Sequence, residues 1–153
     1  MQVRLLGPVD VALDGAPRPV NGLRRKAVLA ALALHDGEVV STDWLVDVVW
    51  GESAPPTVVN SLQTHISYLR GVLGGKEAIL ARPPGYLLNL GGDGTDARAA
   101  ERLLRQGYTD SLRHVQHAHD HYQAAGQRVG QARVLNGIGW LHAKLGDYRR
   151  ALS

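Results

Sequence analysis

The sequence predicts an α+β domain over residues 1–92, followed by an all-α segment whose last part covers residues 108–153. Three observations carry this expectation. Between residues 2 and 20 the apolar side chains nearly alternate, as in short strands. From residue 22 the spacing turns helical, and it closes near residue 90 on two extended runs flanking Pro83-Pro84-Gly85. Beyond Gly91-Gly92-Asp93-Gly94-Thr95 the pattern is helical throughout.

The first segment holds Val3-Arg4-Leu5-Leu6 and Val9-Asp10-Val11-Ala12-Leu13, with Gly7-Pro8, Asp14-Gly15, Pro17 and Pro19 read as turn punctuation. Asp14-Gly15 is a hairpin signal, because both residue types tolerate the positive φ of a tight turn. Next, Leu23, Ala27, Ala30, Ala31 and Leu34 recur at helical intervals, with Val28 and Leu32 broadening the stripe, until Gly37. A short extended link, Glu38-Val39-Val40-Ser41, leads to a helix over residues 43–50, capped by Ser41 or Thr42 and ended by Gly51. Pro55 and Pro56 force a loop before a third helix, which runs to about Leu73 and stops at Gly74-Gly75. Residues 78–82 and 86–90 then form a β-hairpin.

Size and composition narrow the functional classes. A chain of 153 residues buries a real core, and 44% hydrophobic with 20% charged residues excludes a disordered tail or a coiled-coil rod. No apolar run approaches the ~20 residues of a membrane span. The apolar stretch after Met1 is too short for a signal peptide. The absence of cysteine removes disulfides, thiolate zinc sites and cysteine nucleophiles, and the expected location is the cytoplasm. The net charge of +3 is unevenly placed: residues 1–95 hold eight Lys/Arg against nine Asp/Glu, and residues 96–153 hold nine against five. Any nucleic-acid site in the first domain must therefore rest on side-chain arrangement and not on bulk charge.

The third helix has such an arrangement. At ~100° per residue, Val58, Val59, Leu62, Ile66, Leu69 and Leu73 share one face, and the opposite face centres on Asn60, Thr64, Ser67 and Gly71. Gln63 and Tyr68 flank it, with Ser61, His65 and Arg70 further round. Amides and hydroxyls of this kind donate and accept toward base edges; Gln and Asn suit adenine, and Thr also touches a thymine methyl. Arg70 and the helix start suit phosphates. A polar helix face also suits plain solvent, so the wheel by itself leaves both readings open.

The order helix, short strand, helix, polar-faced helix and β-hairpin is that of a winged helix-turn-helix: a short β-sheet, three helices and a C-terminal hairpin wing. Trp50-Gly51-Glu52, Pro55-Pro56-Thr57, the run from Leu62-Gln63-Thr64-His65-Ile66 to Leu73, and Arg82-Pro83-Pro84-Gly85-Tyr86 resemble the DNA-binding domain of SARP-type regulators (Streptomyces antibiotic regulatory proteins), an OmpR-like winged helix. The run from Gly22-Leu23-Arg24-Arg25-Lys26 to Leu32 and Val39-Val40-Ser41 are similar to that family as well, so the resemblance covers residues 2–90. It implies that the helix starting near Thr57 enters the major groove of double-stranded DNA, with Asn60, Gln63, Thr64, Ser67, Tyr68 and Arg70 toward bases and phosphates and Arg82 on the wing at the minor groove. It also implies that loop 51–56 meets RNA polymerase. Many relatives carry basic residues where this chain has Ser67, Tyr68 and Gly71, which implies weak or dimer-dependent binding with a shallow salt dependence. Arg82 is also readable as an ordinary exposed arginine, Arg24-Arg25-Lys26 as a solvated basic first turn, and Trp44 and Trp50 as core.

In the second half, Asp96 caps a helix to about Gln106, and residues 93–107 resemble a linker and the first helix of the bacterial transcriptional activator domain. Helices over residues 111–125 and 131–145 follow, with Gly146-Asp147-Tyr148 turning into a last helix. Leu135, Ile138, Gly139, Leu141, Gly146, Asp147, Tyr148 and Ala151 follow tetratricopeptide spacing, with His142 where that repeat usually has an aromatic. Such repeats bury their faces against neighbours, so residues 108–153 are expected to seek a partner, with a homodimer the first candidate. His114, His117, His119 and His121 fall on the helix over residues 111–125, but no motif fixes a further ligand, so neither metal nor cofactor is expected. Residues 71–77 lack the spacing and the Ser/Thr of a phosphate loop, so no enzyme is expected. The function expected is a DNA-binding transcriptional regulator. The alternative is a protein-interaction module whose winged helix has lost DNA affinity.

Overall fold

The structure, a computed structural model, describes residues 1–91 and 94–151. It divides into two compact units, Met1–Ala99 and Ala100–Ser153.

The first unit opens with strands β1 (Gln2–Arg4), β2 (Asp10–Leu13) and β3 (Ala16–Arg18), paired antiparallel in that order. Leu13 pairs with Ala16 across Asp14-Gly15, whose φ values of 53° and 79° are those of a two-residue hairpin turn. Pro17, expected as punctuation, lies within β3. That strand is an edge, where a missing N–H breaks no ladder bond.

Helices α1 (Leu23–Leu34), α2 (Thr42–Trp50) and α3 (Val58–Val72) pack on a second antiparallel sheet of order β4 (Val39–Ser41), β6 (Gly85–Leu88), β5 (Ile79–Arg82). The observed α+β winged helix matches the fold class read from the sequence. Ser41 caps α2 by accepting from the Trp44 amide at 3.2 Å, and Gly51 ends it at φ 54°. The register Val40↔Tyr86, Ser41↔Gly85 brings Gly85 so close to β4 that a Cβ there would be driven into the Val40 carbonyl oxygen. The peptide bond between Pro83 and Pro84 in the wing turn is cis.

The core of this unit is built from Val28, Leu29 and Leu32 of α1, Leu45 of α2, Leu62, Ile66 and Leu69 of α3, and Ile79 and Leu88 of the wing, all at most 1% exposed. Each such side chain contributes about 1.5–3 kcal/mol on burial. The α1 stripe is thereby corrected. Leu23 and Leu34 are 87% and 69% exposed, and the buried face is the one carrying Val28 and Leu32. Every residue from Ala27 to Leu34 is apolar, so spacing selects no face; the face that packs against α2 and α3 is the one carrying Val28, Leu29 and Leu32. Val59 is likewise on the outside at 47%, while Leu62, Ile66, Leu69 and Leu73 are buried. Trp50 is core, but Trp44, expected as core, is 39% exposed with its ring edge-to-face on His35 at 5.0 Å.

The stretch expected as a linker is part of this unit where it is described; Gly92 and Asp93 lie outside the described residues. The Val3 amide donates to the Gly94 carbonyl at 2.7 Å, and Val3 bridges the buried Thr95. The Leu5 amide donates to the Asp96 carboxylate at 2.7 Å. Thr95 Oγ1 accepts from the Arg98 amide and caps the next helix.

That helix, α4 (Asp96–Ala124), is continuous where two helices separated near residues 107–110 were expected. The separating residues, Gly107-Tyr108-Thr109-Asp110, include no proline, and one interior glycine costs a helix only ~1 kcal/mol. The second unit adds α5 (Arg128–Lys144) and α6 (Tyr148–Ala151). Gly146, at φ 82°, makes the turn between them, and a Cβ on Gly139 would stand 3.1 Å from the Ala151 carbonyl oxygen, so the helices approach closely there. Tyr108 meets Trp140 edge-to-face at 5.9 Å, and Leu141 and His142 are buried. Among the described residues no helix is long and apolar enough to cross a membrane.

Candidate nucleic-acid interface

Helix α3 begins after the exposed segment 51–57, which contains a 3-10 turn at Gly51–Ser53. The Val58 amide donates to the Pro55 carbonyl at 2.9 Å and so starts the helix where the proline pair ends. Burial of Leu62, Ile66 and Leu69 fixes the rotation of α3 about its axis, and that rotation turns Asn60, Gln63, Thr64 and Ser67 outward. All four are exposed. Thr64 Oγ1 donates to the Asn60 carbonyl at 2.9 Å, one turn back, which holds the hydroxyl in place and leaves its lone pairs outward.

The two flanks differ. On one side Tyr68 is half-buried; its hydroxyl accepts from the Asn21 amide at 3.3 Å, and the Arg25 guanidinium lies over its ring at 4.0 Å. On the other side Arg70 is half-buried, and its Nε donates to the Ile79 carbonyl at 2.8 Å, tying α3 to the wing strand β5. Tyr68 and Arg70, expected among the outward groups, are thus partly spent inside the domain, because each lies where α3 meets a neighbouring element. Arg82 is exposed at the end of β5, opposite Gly85 across the wing turn. Ser67, Arg70, Gly71, Gly75 and Lys76 line an open cleft of about 270 Å³ between the end of α3 and the connection that leads to β5.

Trp50, read from the sequence as core, Arg24 and Arg25, read as a solvated first turn, and His65, placed at the margin of the polar face, form a further set beside Tyr68. His65 stacks on Trp50 with ring centroids 5.7 Å apart and 9° between planes. The Arg24 guanidinium lies 5.8 Å from the Trp50 ring centroid. His65 Nδ1 is buried without a hydrogen-bond partner. Burial first, then the charges of Arg25 and Arg24, hold the His65 imidazole below its ordinary value, which favours the neutral ring. No local signal joins these residues; they come from the end of α2, the start of α1 and the flank of α3.

Residues 23–88, the span of α1 to β6, match the family described as "Transcriptional regulatory protein, C terminal". The first unit carries that regulatory domain. The chain is 35% identical over 91 residues to the transcriptional regulatory protein EmbR of Mycobacterium tuberculosis, covering 56% of this chain and 24% of that one. It is 32% identical over 117 residues to the regulatory protein DnrI of Streptomyces peucetius, covering 70% of this chain and 43% of that one. The chain therefore spans less than half the length of these relatives. A solved structure of Mycobacterium tuberculosis EmbR in complex with a low affinity phosphopeptide superposes with a TM-score of 0.66 at 26% identity, over 99% of this chain and 39% of that one.

Proposed function

We propose that this chain is a sequence-specific DNA-binding transcriptional regulator of the SARP type, acting in the cytoplasm. The observation that carries it is the division of α3: Leu62, Ile66 and Leu69 are buried in the core, while Asn60, Gln63, Thr64 and Ser67 are exposed on the opposite face. Inserted in a major groove, that face brings two amides and two hydroxyls to base edges. Arg82 on the wing approaches the adjacent minor groove, Arg70 adds positive charge at the α3–wing junction, and the half-buried Tyr68 borders the face that meets the duplex. The exposed segment 51–57 is the contact offered to RNA polymerase, and the α4–α6 segment supplies the surface for a second copy of the chain.

Fluorescence anisotropy against promoter repeats and against scrambled DNA, each at two salt concentrations, tests the proposal. A preference for the repeats that persists at the higher salt supports it. Equal affinity for both sequences removes sequence-specific regulation and leaves the protein-interaction alternative.

A further inference from the structure

The start of α1 has no role in the function proposed so far, yet it is built unlike an ordinary solvated turn. Asn21, Gly22, Leu23, Arg24, Arg25 and His65 line an open cleft of about 710 Å³ beside the Tyr68 flank of α3. Gly22 caps α1 at φ 93°, no side chain bonds the free amides of the first turn, and that turn contains no acidic residue. Arg24 lies toward the Trp50 ring and Arg25 over the Tyr68 ring. A guanidinium resting on an aromatic uses its face there and keeps its N–H edges available. Among the described residues neither arginine has a carboxylate within ion-pairing distance, although Arg4, Arg98, Arg105, Arg113 and Arg150 each have one. Two oriented cations and a helix start with free amides thus converge on one concavity, which His65 also lines.

We propose that this cleft holds a backbone phosphate of the same duplex that α3 reads, with Arg24 and Arg25 donating to its non-bridging oxygens. The inference rests on the α3 reading above. It explains how a first domain with near-balanced charge can bind DNA: its cations are placed on the two flanks of the polar face. Arg24 and Arg25 stand on the Tyr68 side; Arg70 and Lys76 stand on the other. A helix in the major groove has one phosphate strand on each side, so cations on both flanks set its depth and register.

The test uses the full chain and a duplex selected for binding to it. Arg24→Gln and Arg25→Gln, measured singly and together, are expected to lower the magnitude of the log Kd against log[salt] slope by about 1 per lost contact, with the preference for selected over scrambled DNA retained. Arg24→Lys with Arg25→Lys keeps the slope. Should the double variant fail to fold, the arginine side-chain NMR signals of the wild-type chain decide: they shift on adding duplex and do not shift with inorganic phosphate at equal ionic strength. An unchanged slope in folded variants, or signals unmoved by a duplex that does bind, overturns this inference and leaves the α3 reading intact. A shift as large with inorganic phosphate also overturns it, marking a free-anion site. No duplex binding by the wild-type chain overturns both.

Discussion

The Asp36 carboxylate, 4% exposed, accepts from the Leu90 amide at 2.9 Å and from the Arg98 guanidinium at 3.2 Å, joining positions 62 residues apart. Arg98 adds a second bond to the Asp36 carbonyl at 3.2 Å. The end of α1, the exit of the wing and the first turn of α4 are thereby held at one buried acid. Asp36→Ala leaves the Leu90 amide without its acceptor and frees Arg98, whose side chain is half in water already. The expected loss is ~1–3 kcal/mol, read as a lower urea midpoint with an unchanged slope. An unaltered midpoint would show that the α4 start is held by Thr95 and Asp96 alone.

Gly85 sets the register between the wing and β4. Gly85→Ala forces a methyl into the Val40 carbonyl and the Ser41 Cα, both of them backbone atoms with no rotamer to yield. The cost is expected at or above the upper end of the ~1–3 kcal/mol of overpacked sites. Thermal unfolding by circular dichroism measures it, and a melting temperature equal to that of the wild type contradicts this account of the β4–β6 pairing.

His65 is expected to make the domain less stable at mildly acidic pH. Its folded-state value lies below the ordinary 6.5 through burial, then Arg25 and Arg24. As pH falls below about 6.5 the unfolded chain takes up this proton before the folded one does, so stability declines. The decline ends once pH is below the folded-state value, and stability due to this group is fully present above 6.5. His65→Phe keeps a ring against Trp50 and removes the titration. Denaturation midpoints of the two proteins are expected to converge above neutrality and to separate in favour of Phe at mildly acidic pH. Parallel curves would place the dependence on another histidine.

Gln63 and Thr64 are exposed, and their removal touches no core contact. Gln63→Ala and Thr64→Ala are expected to leave the melting temperature unchanged. Each weakens binding to a selected duplex by about 5- to 150-fold, the equivalent of ~1–3 kcal/mol per good base contact, and by much less on scrambled DNA. Electrophoretic mobility shifts on both duplexes check this. Equal losses on the two would assign these residues to backbone contacts.

Much of this chain was written locally. Asp14-Gly15 specified its hairpin, Ser41 and Gly51 bounded α2, the proline pair set the start of α3, and the three-to-four spacing of Leu62, Ile66 and Leu69 put Asn60, Gln63, Thr64 and Ser67 on one outward arc. These features depend on a few neighbouring residues and on the helical period, so they can be read along the chain. Other features needed the folded contacts. The choice of face on the apolar run over residues 27–34 of α1, the bonds that engage Tyr68 and Arg70, the docking of Gly94 to Arg98 onto β1 and Asp36, and the meeting of Arg24, Arg25, Trp50 and His65 all join segments far apart in sequence. Periodicity tells which side of a helix is buried only when its two sides differ. Which polar groups remain free is decided by what lies across from them once the core has closed.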